Sequence, residues 1–232
     1  MLMKLRFLKL SLMMVAIAAC GVACTNDDVD DEKPIDVVDY EFVDLGLSVN
    51  WATCNVGSKT PEGSGDLYAW GETDTDSIFE WSSYSKCKGT DSTLTKYCNN
   101  GDLGYNGYRD NKTVLDLDDD VAHVKWGGKW RMPTVEEFNE LLVNCTWEWT
   151  NQKGVDGYMV VSNKAGYNDR SIFLPMAGIG IREERYNAGR YWTSSLDTLA
   201  IRALNLDMYS DDVRLDNSSR DLGYTIRPVC TK

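Results

Sequence analysis

Pro133-Thr134-Val135-Glu136-Glu137 limits what this chain can fold into more than any other stretch of it. The tetrad after the proline reads as a capping box. The threonine oxygen takes an orphan backbone N–H of the first turn, and the glutamate three residues on reaches back to the cap. Phe138, Leu141, Leu142 and Cys145 follow at i, i+3, i+4 and i+7, which makes one apolar stripe on a helix. Pro133 discourages helix upstream. The spacing therefore predicts one amphipathic helix beginning at 134–135. A shorter one is expected over 118–125, with aspartates at its positive end.

Little else in the sequence is helical. Residues 41–56 mix Phe42, Val43, Leu45, Leu47, Val49, Trp51 and Val56 around Gly46, which suggests two short strands or one bulged strand. Another strand is expected at 67–70. Residues 71–112 are rich in Gly, Asn, Asp and Ser and read as a long loop, with Cys87 and Cys98 as the candidate disulfide that would pin it. After the helix, strands are expected around Trp147 and Trp149. A turn at 154–157 should follow, then strands at 158–161, 171–174, 191–193, 201–207, near Val213, and at 224–229. Eight tryptophans, twelve tyrosines and nineteen glycines suit short strands and many turns better than a bundle. The predicted class is α+β: antiparallel strands with one or two helices and long loops.

The N-terminus carries Lys4, Arg6 and Lys9 and then an apolar run from Leu10 to Ala23. This is the basic and apolar pattern of a secretory leader, too short for a bilayer span of about 20 residues. Ile17-Ala18-Ala19-Cys20 resembles a bacterial lipobox, which makes Cys20 the candidate lipidation site. Gly21-Val22-Ala23-Cys24 makes Cys24 the alternative. An ordinary signal peptide with incidental cysteines is the bland reading. The expected organisation is a lipoprotein signal peptide at 1–19, an acidic flexible tether at 20–40 and one domain at 41–232. Membrane contact through the lipid anchor alone, outer-membrane location and cell-surface exposure are expected with it.

Composition closes several functional classes. The chain has 24 basic against 36 acidic residues, and the leader removes three of the basic ones, leaving a net charge of about −15. No basic stripe offsets that balance, so nucleic-acid binding is not expected. A single histidine, His123, leaves no multi-histidine metal site, and no G-x-S-x-G elbow presents a serine to it. No C-x-x-C pair supports a zinc ribbon or thioredoxin-type site. Asp116, Asp118, Asp119 and Asp120 could offer oxygen ligands to calcium. A solvated loop stabilised by the helix dipole explains them as well. No other cofactor is expected.

Several segments together resemble one family. They are Phe42 to Leu47, Trp51-Ala52-Thr53-Cys54-Asn55-Val56-Gly57, Tyr68-Ala69-Trp70-Gly71-Glu72, Trp126-Gly127-Gly128-Lys129-Trp130-Arg131-Met132-Pro133-Thr134, Tyr191-Trp192-Thr193-Ser194-Ser195 and Ile226-Arg227-Pro228-Val229. In that order they look like the Fibrobacter-succinogenes-major-paralogue (FISUMP) domain, over about residues 41–230. The resemblance implies a C-type-lectin-like fold with its termini together in one sheet, and no enzymatic activity. Trp126, Trp130, Arg131, Pro133, Thr134 and Glu137 would be its structural motif, with Arg131 expected to be mostly buried and paired to Glu137 rather than Glu136. The same motif resembles formylglycine-generating enzymes. Their late cysteine pair is missing, because only Cys230 lies beyond Cys145.

The functional expectation is a surface-exposed binding or adhesion module for a glycan, peptide or protein. Its candidate surface is Tyr186, Asn187, Arg190, Tyr191, Trp192, Tyr209 and Arg214, with a plain core role as the competing reading for Tyr191 and the preferred one for Trp192. The alternative is a structural component of a cell-surface assembly. The anchor has a direct test: a clickable palmitate analogue should label the wild-type chain and not a Cys20→Ala, Cys24→Ala double variant. Label that persists in the double variant removes the anchor from the account.

Overall fold

The structure is a computed structural model. It describes residues 40–182, 184–186 (backbone alone) and 188–232. Cys20, Cys24, the leader and nearly all of the tether lie outside the described residues, as does Asn187.

In chain order the strands β1 (Phe42–Val43) and β2 (Val49–Ala52) come first, paired antiparallel with Phe42 opposite Ala52. Gly46 turns the chain between them at φ +74, where a Cβ would sit 2.7 Å from the Tyr167 ring. Two helices and a strand follow: α1 (Val121–Trp126), β3 (Trp130–Arg131) and α2 (Val135–Asn144). Then come β4 (Cys145–Gln152), β5 (Val155–Ser162), β6 (Ser171–Pro175), β7 (Ile179–Ile181) and β8 (Glu184–Tyr186). The last four are β9 (Gly189–Leu196), β10 (Arg202–Met208), β11 (Val213–Ser219) and β12 (Val229–Thr231). The class is broadly α+β, mostly antiparallel sheet.

Four sheets result, in the orders β1-β2-β12-β3, β11-β10-β9, β4-β5-β6 and β7-β8. In the first, β12 from the end of the chain lies antiparallel between β2 and β3, with Val229 opposite both Trp51 and Arg131. One cluster of buried side chains holds Ala52, Trp70, Trp126, Trp130, Trp192 and Ile226. A second holds Trp51, Phe138, Leu141, Val160, Tyr191 and Val229. Adjacent residues of β2 enter different clusters, as the alternation of a strand requires. On α2 the stripe behaves as its spacing predicts: Phe138 and Leu141 are fully buried and Leu142 packs partly.

Three expectations are corrected. The strand at 67–70 is reduced to an isolated bridge between Tyr68 and Tyr224, and that at 224–229 to β12 with single bridges before it. The turn after β4 is Lys153-Gly154 alone, both at positive φ (49° and 89°). That is the two-residue geometry whose twist matches a hairpin, so β5 already starts at Val155. The third is the disulfide. Cys87 and Cys98 are separate buried thiols. Each already has an acceptor: Cys87 Sγ donates to the Trp81 carbonyl (3.2 Å) and Cys98 Sγ to that of Asn100 (3.0 Å).

Residues 71–112 contain no strand or α-helix, yet they are ordered by buried polar groups. Arg220, fully buried, donates to the Tyr84 hydroxyl and to the carbonyls of Lys96, Tyr97 and Ala200. Its guanidinium lies 5.0 Å from the Trp70 ring. Asp110 accepts from the amides of Tyr97, Cys98 and Lys112. Backbone groups that a sheet would have paired are thus paired one by one.

The capping box forms in full. Thr134 Oγ1 accepts from Glu137 N–H, and Glu137 Oε2 accepts from Thr134 N–H at 2.8 Å. The same carboxylate receives Arg131 in a fork, Nη1 at 2.8 Å and Nη2 at 2.5 Å. The arginine side chain keeps 27 % exposure against 12 % for its partner, so it is half-buried rather than mostly buried. Pro133 continues the junction, its carbonyl accepting from Ser194 N–H at 2.8 Å. Half-burial places the pair between the exposed and buried limits. Arg131→Ala should cost about 2–3 kcal/mol in urea denaturation, whereas Glu136→Ala should cost under ~0.5. Equal effects would leave the arginine without the role given to it.

Candidate functional site

The surface expected to bind ligand is largely interior. Tyr191 and Trp192 on β9 have no solvent exposure. The Tyr191 hydroxyl donates to the Pro175 carbonyl at 2.7 Å. Trp192 Nε1 donates to that of Tyr68 at 3.0 Å, and its ring stacks on Tyr224 at 4.2 Å. β9 is covered on both faces, so its aromatics are core and both leave the candidate site. For Tyr186 the structure gives backbone only, opposite Ile179.

Arg190, Tyr209 and Arg214 do gather, around a residue the sequence reading missed. In the β9-β10-β11 register Asp207 stands opposite Arg190 on one side and Arg214 on the other. Its carboxylate, 1 % exposed, takes Arg190 Nε at 2.9 Å and Arg214 Nη2 at 3.6 Å. Arg190 also donates to the Tyr224 hydroxyl (2.8 Å), and Arg214 reaches Asp212 at 2.5 Å while lying over the Tyr209 ring at 5.1 Å. Both guanidiniums are therefore engaged by the chain's own acceptors. Only Tyr209 and Arg214 keep substantial exposure. Strand spacing alone could have suggested this row, since Asp207 lies in an alternating segment.

The aspartates considered for calcium are committed elsewhere. Asp116 pairs with Lys96 (2.9 Å) and Lys112 (2.6 Å). Asp119 takes Lys86 at 2.7 Å, Lys96 at 2.5 Å and the Tyr97 hydroxyl at 2.5 Å. Asp120, nearly fully buried, caps α1 by accepting from His123 N–H and also receives the N–H of Met132, the residue after β3. Asp118 is exposed. Among the described residues no group of three His, Cys, Asp or Glu is arranged to hold a metal ion. Three lysines, Lys86, Lys96 and Lys112, and a set of amides surround these carboxylates.

The concave feature that sequence reasoning missed is a cleft of about 520 Å³ lined by Tyr40, Glu41, Thr53, Cys54, Gly57, Ser58, Lys59 and Trp126. Its walls are fixed by packing. Tyr40 stacks flat on Trp126 (3.7 Å, 6°), and Trp126 meets Trp130 edge-on at 5.0 Å. Thr53 N–H donates to the Glu41 carbonyl, which ties Tyr40 and Glu41 to the end of β2. Cys54 Sγ donates to the Ser58 carbonyl at 3.3 Å, and burial pushes that thiol up, so it stays protonated. Glu41 and Lys59 are exposed. The cleft thus offers aromatic wall, hydroxyls, and one charge of each sign. His123 is spent on the fold, its Nδ1 3.2 Å from the Trp130 carbonyl. No local pattern announces the cleft, because its aromatic wall forms only where Tyr40 meets Trp126.

No family model, curated protein or solved structure matches this chain. No helix of the described residues is long and apolar enough to cross a membrane.

The lysine–aspartate cluster makes a pH prediction. Lys112 and Lys96 hold Asp116 below the usual carboxylate range. Burial pushes Asp119 up, but Lys86, Lys96 and Tyr97 outweigh it and hold it low. Carboxyls depressed in the fold stabilise it fully above their unfolded value of about 4, and that stability is lost as pH falls through the folded value. Limited proteolysis within 71–112 should therefore rise below about pH 4, less steeply in Lys96→Met, while excess calcium leaves the melting temperature unchanged. A calcium-dependent rise in melting temperature would restore the metal reading.

Proposed function

We propose that this chain is a lipid-anchored, surface-exposed binding or adhesion module of the FISUMP type with a C-type-lectin-like fold. Its ligand is a surface glycan, peptide or protein. The observation that carries the reading is the cleft between Tyr40, Thr53, Cys54 and Trp126. A concave, partly aromatic site with a few polar groups at its rim is the usual form of a ligand pocket. Further support comes from the fold junctions. The segments that carry the family resemblance meet each other, Arg131 and Pro133 at α2, Ser194 and Ser195 against that helix start, and Val229 between β2 and β3.

The non-catalytic part of the reading draws on the state of the reactive groups. Burial raises the Cys54 thiol, which donates to the Ser58 carbonyl, and His123 Nδ1 lies 3.2 Å from the Trp130 carbonyl. Location at the outer membrane remains part of the proposal, resting on the lipobox and the acidic stretch behind it.

The purified chain should be screened on glycan and matrix-protein arrays, and any hit repeated with Tyr40→Ala and Lys59→Glu. The cleft reading expects at least about a tenfold loss of affinity in one of them, equivalent to ~1.4 kcal/mol. Binding that neither variant weakens would move the site elsewhere, and no hit at all would end the ligand reading.

A further inference from the structure

The outer edge of β4 stands apart from the other sheet edges. β4 runs eight residues in unbroken register with β5, from Cys145 opposite Ser162 to Gln152 opposite Val155. Among the described residues its backbone makes no bond beyond that ladder. The other edges are short, charged or covered. β1 and β3 have two residues each, and β8 has three. β6 ends at Pro175, and its Phe173 carbonyl is taken by Arg227. β9 is covered along its free side through Trp192 to Thr225, Ser194 to Pro133 and Leu196 to Thr113. β11 carries Arg214 and Asp216. Sheet edges left open to solvent are ordinarily blunted by lysine, proline, a bulge or brevity. β4 has none of these.

We infer that β4 is a self-association edge, on which β4 of a second copy pairs antiparallel to make one continuous six-stranded sheet. The contact does not rest on the ligand reading. The strand chemistry points to a second copy. A two-fold axis normal to the sheet keeps each side chain on its own face, so one residue must lie opposite its own copy. Four centres pair five residues or more, and centring on Thr150 pairs only residues 148–152. Centring on Glu148 sets two carboxylates face to face, which is destabilising for directly opposed residues. Centring on Trp147 pairs only residues 145–149. Centring on Trp149 pairs residues 146–152, with Glu148 opposite Thr150 and Thr146 opposite Gln152. It moves the two copies of Glu148 from directly opposed to diagonal positions, about 7–8 Å apart.

The side chains suit that register. Trp149 lies edge-on to Tyr158 at 5.1 Å and is 37 % exposed, a large apolar ring at the edge with nothing beyond it among the described residues. In the dimer it meets its own copy, an aromatic pair across the axis. The whole chain opposes this: two mature copies near −15 repel, and salt screens that repulsion over about 8–10 Å. Association should therefore strengthen with ionic strength, the reverse of a contact made by salt bridges.

Oxidative cross-linking of single-cysteine additions in the full chain, solubilised in non-ionic detergent, tests both contact and register. Directly opposed residues have Cα atoms about 4.5–5.5 Å apart, within disulfide range. Trp149→Cys should form a covalent dimer. Asn151→Cys, displaced about 13 Å along the strand from its copy, should not. Detergent-matched sedimentation of the unmodified chain should show a dimer whose affinity rises at least threefold between low and high salt, and Trp149→Lys should abolish it. A monomer at every salt concentration overturns the proposal. So does Glu148→Cys cross-linking better than Trp149→Cys, or a dimer that Trp149→Lys leaves intact.

Discussion

The Arg227 guanidinium is the contact on which the arrangement of the sheets depends. It is fully buried, and no carboxylate of the described residues pairs with it. Its donors end on the carbonyls of Ala52, Thr53 and Phe173 and on the Asn55 side chain, at 2.8–3.0 Å. Those acceptors belong to the end of β2, the segment after it and β6, so one side chain from just before β12 joins the terminal sheet to the β4-β5-β6 sheet. Burial pulls its basicity down, yet an arginine stays charged in proteins. A buried unpaired cation is costly unless every donor is satisfied. Here the desolvation is offset by oriented peptide dipoles, and any displacement of β2 from β6 would break several of those bonds at once.

Arg220 repeats the device under the long loop. It too is buried without a carboxylate, held by three carbonyls and a tyrosine hydroxyl. The two arginines explain how a chain with so many short strands keeps irregular segments fixed. Guanidinium forks gather carbonyls that have no ladder to join. Asp110, Asp119 and Asp120 do the converse with amides and ammonium groups. Polar groups in the interior act here as connectors between elements.

What the sequence made legible was local. The capping box and the stripe on α2 are set within one or two helical turns, and Arg131 reaches Glu137 across six residues. Trp192 and Tyr191 could not be placed that way. Whether a strand aromatic is interior depends on what covers the second face, and here the cover comes from Tyr68, Pro175 and Tyr224, far away in sequence. The pairings of the aspartates at 116–120 were hidden for a related reason. Their partners Lys86 and Lys96 sit in a loop with no periodicity to announce them. The cleft depends on Tyr40 meeting Trp126, a contact across most of a hundred residues, and no local pattern encodes it.

The position of β12 has a kinetic consequence. The strand comes from residues 229–231, and its two neighbours from residues 49–52 and 130–131. The middle of the terminal sheet is therefore missing until the ribosome has made nearly all of the sequence in hand. Closing it means bringing together segments some 180 residues apart, a slow step in chains dominated by distant contacts. Along the proposed export route this delay is useful. A chain that cannot complete its sheet early stays threadable until its last residues have been made.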